Sequence, residues 1–221
     1  VSEMAESGGA PETPERLPLF HDDPKLRRKR GCSGIVGVVI FAAAFGGIAG
    51  LIGGEIAGLV VAGVIALPLL YIMFYNLRRR VWLEGETLIV RTWGLRRVAL
   101  TSAERIDLVI SDVRGTRTVS LLVNAGKRRK VAKVDLAVYS GAGGRELGIL
   151  QLRKLANALL NNTEANGLVF SELLVAQLKS EARGDAAAER PLYRLASAAP
   201  AGKYIQRFTM EAVSRFVATL E

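Results

Sequence analysis

The side chains able to do chemistry are few, and their spacing assigns them no reaction. The one histidine, His21, lies in a polar N-terminal stretch, and the one cysteine, Cys32, stands beside Ser33 at the edge of an apolar block. A single cysteine excludes an internal disulfide and a cysteine-rich zinc site. A single histidine argues against a histidine-based catalytic or metal centre. Asp107, Asp112 and Asp135 sit in strand or turn patterns without the spacing of a calcium loop. Gly141-Ala142-Gly143-Gly144 is followed by Arg145, not by Lys-Ser or Lys-Thr, so it is no phosphate loop. Glu55 is the one charged residue inside the apolar block, and its Gly53-Gly54 neighbours make it a turn residue. No cofactor-binding set emerges, and the expectation is a protein that is not an enzyme.

Positive charge carries more information. The formal net charge is +9, and the excess sits in Lys25–Arg30 and in the region after Leu77. Two clusters stand out as candidate lipid or partner contacts: Arg78, Arg79 and Arg80 directly after the apolar block, and Lys127, Arg128, Arg129 and Lys130 at a turn signal. Basic side chains near anionic headgroups gain about 1 kcal/mol each. The competing reading of the second cluster is a solvated turn. Nucleic acid is disfavoured, because the basic residues are dispersed, aromatics are few and no nucleic-acid-binding motif is present.

The elements that must position these groups begin with an apolar hairpin. From Gly34 to Ile52 every side chain is apolar or absent, Gly53-Gly54-Glu55 interrupts, and Ile56 to Tyr75 is apolar again with Pro68 inside. About 20 apolar residues span about 30 Å of hydrocarbon, so the block fits two spans, about 34–52 and 56–75, within a hairpin segment 25–80. Lys/Arg runs flank both outer ends and the joining turn has none. The positive-inside rule then puts both termini in the cytoplasm, as in a multi-pass protein of the plasma (inner) membrane. Small residues recur every four positions, Ala42, Gly46 and Gly50 and then Gly58, Ala62 and Ala66. Such faces suit close helix packing, within one hairpin or in a homo-oligomer. Residues 1–24 are acidic and poor in apolar side chains, the composition of a disordered leader.

After Arg80 the period changes. Val81–Leu83 and Thr87–Trp93 around Glu84-Gly85-Glu86 predict a hairpin, and Leu95–Thr101 continues it. Alternation at Ile106, Leu108 and Ile110, then at Val119, Leu121 and Val123, predicts two half-buried strands. Val131, Val134, Leu136 and Val138 predict another with an irregularity, and Gly141–Gly144 ends the strand region. Helical spacing of Leu152, Leu155 and Leu159 predicts a helix over Glu146–Asn161. A second is expected over Leu168–Arg183. Gly184–Lys203 reads as a linker with one short turn, and Thr209 as the cap of a last helix ending near Leu220.

This order, several short antiparallel strands closed by a helix, resembles the bacterial membrane proteins that attach a pleckstrin-homology-like domain to a transmembrane hairpin. The resemblance covers about Arg78–Asn161, which sets a domain at 81–162, and rests on Val81-Trp82-Leu83-Glu84-Gly85, Leu88–Arg91, Arg96-Arg97-Val98 and Leu152–Leu159. It implies an α+β membrane protein with a cytosolic β-barrel or sandwich closed by a helix and used as an interaction module. Residues 163–221 form an additional helical extension outside the resemblance. Inositol-phosphate-binding members carry basic residues in the first hairpin, where this chain has the acidic Glu84-Gly85-Glu86, so no such pocket is expected. The function expected is a membrane-anchored, non-enzymatic interaction module that presents the domain to a protein partner or to anionic lipid. The alternative is an enzyme or accessory subunit of a membrane complex whose chemistry carries no recognisable motif.

Overall fold

The computed structural model describes residues 16–19, 24–126, 131–141, 143–200 and 204–220, with backbone alone for 24–32 and 76. The chain packs as two compact units. One holds Phe20–Arg80 together with Val90–Arg96; the other holds the chain up to Leu19, Val81–Ile89 and Arg97–Glu221.

The first unit is built on two helices, α1 (Pro24–Gly53) and α2 (Glu55–Arg78), joined at Gly54. Gly54 takes φ 86°, a left-handed value that glycine adopts without strain, which lets the chain reverse in one residue. Each helix has a 21-residue stretch, Ser33–Gly53 and Glu55–Tyr75, long and apolar enough to cross a bilayer. Pro68 is accommodated within α2. Leu51, Ile52, Ile56, Leu59, Val64 and Leu67 lie exposed around the pair, the reverse of a soluble protein's core helices. The small-residue faces meet each other. A Cβ on Gly58 would lie 2.6 Å from the Gly46 carbonyl, and one on Gly46 would lie 2.7 Å from the Ala62 Cβ. Close backbone approach between α1 and α2 therefore uses the stripes read from the sequence, and Ala42 is buried in line with them.

The second unit contains most of two sheets. The four-stranded sheet has the order β1-β2-β3-β4, from β1 (Arg16–Pro18), β2 (Arg80–Glu84), β3 (Thr87–Arg91) and β4 (Leu95–Ala99). β1 corrects the expectation of a disordered leader at these positions. It lies antiparallel to β2 with Leu17 opposite Leu83 and Pro18 opposite Trp82, extended by the bond from the Leu19 N–H to the Val81 carbonyl. Leu17 and Leu19 are buried, which explains why a three-residue strand holds. Pro18, without an N–H, is tolerated on this edge.

The five-stranded sheet has the order β8-β7-β6-β5-β9. β5 (Arg105–Val113) and β6 (Thr116–Asn124) are joined by Arg114-Gly115, both at positive φ, the geometry whose twist suits a two-residue hairpin. β7 (Val131–Ser140) pairs with β6 and slips register between Val119 and Ser120, leaving Leu136 as the extra residue of a bulge. The irregularity expected in this strand is that bulge. Beyond it, Gly141–Gly144 does not end the strands: Gly143–Glu146 forms β8. Gly144 is required there, because a Cβ would sit 2.2 Å from the Tyr139 ring.

Helices α3 (Ile149–Leu160) and α4 (Gly167–Arg183) bury Leu152, Leu155, Leu159, Phe170, Leu173 and Leu174. Each such side chain contributes roughly 1.5–3 kcal/mol when taken fully from water. Asn162, between the helices, donates to the Leu100 and Ala103 carbonyls and accepts from the Ala165 N–H. The linker expected over Gly184–Lys203 instead contains α5 (Pro191–Ala198), opened by proline at its first position. Next comes β9 (Ile205–Phe208), antiparallel to β5 with Leu108 opposite Phe208. Helix α6 (Met210–Ala218) completes the described chain, capped by Thr209 as expected, with its hydroxyl accepting from the Ala212 N–H. The C-terminal segment is thus tied into the sheet by a strand as well as by helices.

Candidate functional site

Arg78, Arg79 and Arg80 occupy the seam where α2 becomes β2. Arg78 is the last residue of α2, Arg79 caps it with its N–H on the Tyr75 carbonyl, and Arg80 opens β2. Basic residues at a helix C-terminus complement the negative end of its dipole. Arg78 and Arg80 are exposed and Arg79 is half-buried. Lys127, Arg128, Arg129 and Lys130 lie outside the described residues.

The turn between β3 and β4 joins this seam within the helical unit. It is closed by a bond from the Thr92 N–H to the Gly94 carbonyl. Trp93 is 57 % exposed, and its ring stacks on Tyr71 with centroids 5.7 Å apart and planes 10° from parallel. The Arg78 guanidinium lies over the same indole, 5.2 Å from its centroid. Such cation–π contacts contribute about 0.5–2 kcal/mol. A cavity of about 380 Å³ is lined by Leu77, Arg78, Arg80, Arg91, Thr92 and Trp93. Three of the six are arginines and none is acidic. Arg96, the second residue of β4, is also exposed.

Sequence reading found the arginine run but not Trp93 or Arg91. Their signal, Arg91-Thr92-Trp93-Gly94 with an aromatic in a turn flanked by arginines, is local and short. The partner that gives it meaning, Tyr71, lies far back in α2.

A second polar cluster is structural in character. The Tyr139 hydroxyl donates to Glu146 at 2.7 Å, and Arg190 pairs with the other Glu146 oxygen at 2.5 Å. Burial, and then the bond to Glu146, push the Tyr139 phenol above its ordinary value, so it stays a neutral donor. The cluster ties the start of α5 to β7 and β8. Among the described residues no group of histidine, cysteine, aspartate and glutamate is placed to hold a metal ion. No family model, curated protein or solved structure matches the chain.

Proposed function

We propose that this chain is a membrane-anchored, non-enzymatic interaction module. Helices α1 and α2 cross the plasma (inner) membrane as one hairpin, and a pleckstrin-homology-like β domain, closed by α3 and extended by α4–α6, is held at the cytoplasmic face to meet a protein partner. The observation that carries this reading is the seam itself: an exposed 21-residue apolar helix passes through Arg78-Arg79-Arg80 into β2 without a linker. A domain joined so tightly has no freedom to leave the bilayer surface. The β1–β2 pairing supports the same reading, since it brings the two chain segments that flank the hairpin into one sheet. The dense arginines on that side favour the cytoplasm.

The test is cysteine accessibility in intact cells, with Cys32 replaced by serine. A membrane-impermeant thiol reagent should label Gly54→Cys and leave Ser140→Cys untouched until the membrane is opened. Labelling of Ser140→Cys from outside would overturn the orientation. Crosslinking in native membranes, with mass spectrometry of what co-purifies, then identifies the partner.

A further inference from the structure

We propose that Arg78, Arg80 and Arg91, with Trp93, form a binding site for the phosphate of an anionic phospholipid in the membrane that the hairpin crosses. The inference rests on the membrane reading above and gives its inner-leaflet contact a ligand. Four observations carry it. The cavity is at the lower end of the sizes that hold small ligands, about 300–1,000 Å³. Among the described residues its lining includes three arginines and no carboxylate. Planar guanidinium forks bind phosphate oxygens in pairs, which a single ammonium does not. Its depth is also right. Arg78 lies three residues beyond Tyr75, the end of the apolar stretch, which is about 4.5 Å along a helix and within the headgroup layer.

The fourth observation is the aromatic pair. Tyr71 and Trp93 are both exposed, yet stacked on each other. Amphipathic rings of this kind concentrate at the level of lipid headgroups. One comes from the span and the other from the β3–β4 turn, so the turn is held against the last two turns of α2. Leu95, two residues after Trp93 at the start of β4, is 56 % exposed. A headgroup phosphate in the cavity would have its acyl chains on the side of the Trp93 ring. A free phosphate has no use for that apolar flank, and this favours the lipid over a soluble anion.

The test uses the full chain, purified in a neutral detergent, with Trp82→Phe introduced so that Trp93 is the one tryptophan left. Short-chain phosphatidylglycerol should change Trp93 fluorescence saturably, while phosphatidylcholine of the same chain length and inorganic phosphate should not. Arg80→Gln and Arg91→Gln should each weaken the response about fivefold, the equivalent of one lost headgroup contact. Arg91→Lys should keep part of it, and Arg114→Gln, in the distant β5–β6 turn, should keep all of it. Equal responses to the two lipids, or unchanged affinity in the Arg80→Gln/Arg91→Gln pair, overturn the site. Saturable binding of inorganic phosphate alone overturns the lipid assignment. Labelling at Gly54→Cys reports insertion separately, so failure of the lipid site is distinguishable from failure of the topology.

Discussion

The indole of Trp93 lies parallel to the phenol ring of Tyr71, 5.7 Å away, with the Arg78 guanidinium also 5.2 Å from the indole. Stacked aromatic pairs contribute about 0.5–1.5 kcal/mol beyond their burial. Trp93→Ala should therefore raise amide exchange across Val90–Arg96 by about 2- to 13-fold for the pair alone, measured by mass spectrometry on protein in lipid nanodiscs. Trp93→Tyr should restore most of the protection. Unchanged exchange in Trp93→Ala would show that the turn is held by its backbone alone.

The helix pair makes a sharper steric prediction. Gly58→Val places a branched side chain where the Gly46 carbonyl already lies within 2.6 Å of a Cβ position. The pair must separate, and the melting temperature of the purified protein in detergent should fall. Gly63→Val, where nothing lies within 4 Å, is the matched control and should be close to neutral. Equal melting temperatures for the two variants would mean that α1 and α2 do not pack through this face.

The β region should not stand without the C-terminal helices and β9. A fragment Arg80–Asn162 loses β9 from the edge of β5, and loses Phe170, Leu173 and Leu174 from the core. It should unfold without a sharp transition, while a fragment extended to Leu220 should gain cooperativity. In the full chain, Leu173→Ala should cost about 2–5 kcal/mol by chemical denaturation. A sharp transition in the short fragment would place the stabilising core in the strands and α3 alone.

Tyr139 gives a dependence on alkaline pH. Its folded-state value is raised by burial and by Glu146, so the folded protein keeps a proton that the unfolded chain gives up near pH 10. The contribution to stability is whole below pH 10 and is lost as pH rises above it. The melting temperature should fall between pH 9 and pH 11 more steeply in the wild type than in Tyr139→Phe. Tyr139→Phe should also be less stable at pH 7, since Glu146 loses a donor. Parallel curves above pH 9 would show that the phenol ionises in the folded state.

How much of the fold is legible in the sequence depends on how local each signal is. The apolar blocks, the Gly54 reversal and the alternation of β5 and β6 are written in neighbouring residues, and the structure has them where the patterns lie. β8 escapes because Gly143-Gly144-Arg145-Glu146 has no apolar residue to alternate; it exists because Gly144 fits beneath a tyrosine ring. β1 and β9 escape because three- and four-residue strands are specified by partners far along the chain, Leu83 and Leu108 among them. Helix α5 hides in an alanine-rich run and depends on Arg190 reaching Glu146. The site divides the same way: the arginine run is visible as charge, whereas Trp93 gains its role only once folding sets it on Tyr71.

The pairing of Leu17 with Leu83 also bears on how the protein is made. β1 is synthesised before both apolar helices and its partner strand only after them, so β1 waits for its partner until both helices have been made. A long flexible loop would make that closure slow and entropically costly. A helical hairpin that reverses at Gly54 brings the chain back towards the end where it began and shortens the search. The four-stranded sheet is then complete only in molecules whose helix pair has closed, and an unpaired β2 edge marks those in which it has not. Closure of the helix hairpin becomes a precondition of the finished sheet, an order of assembly written into the strand order.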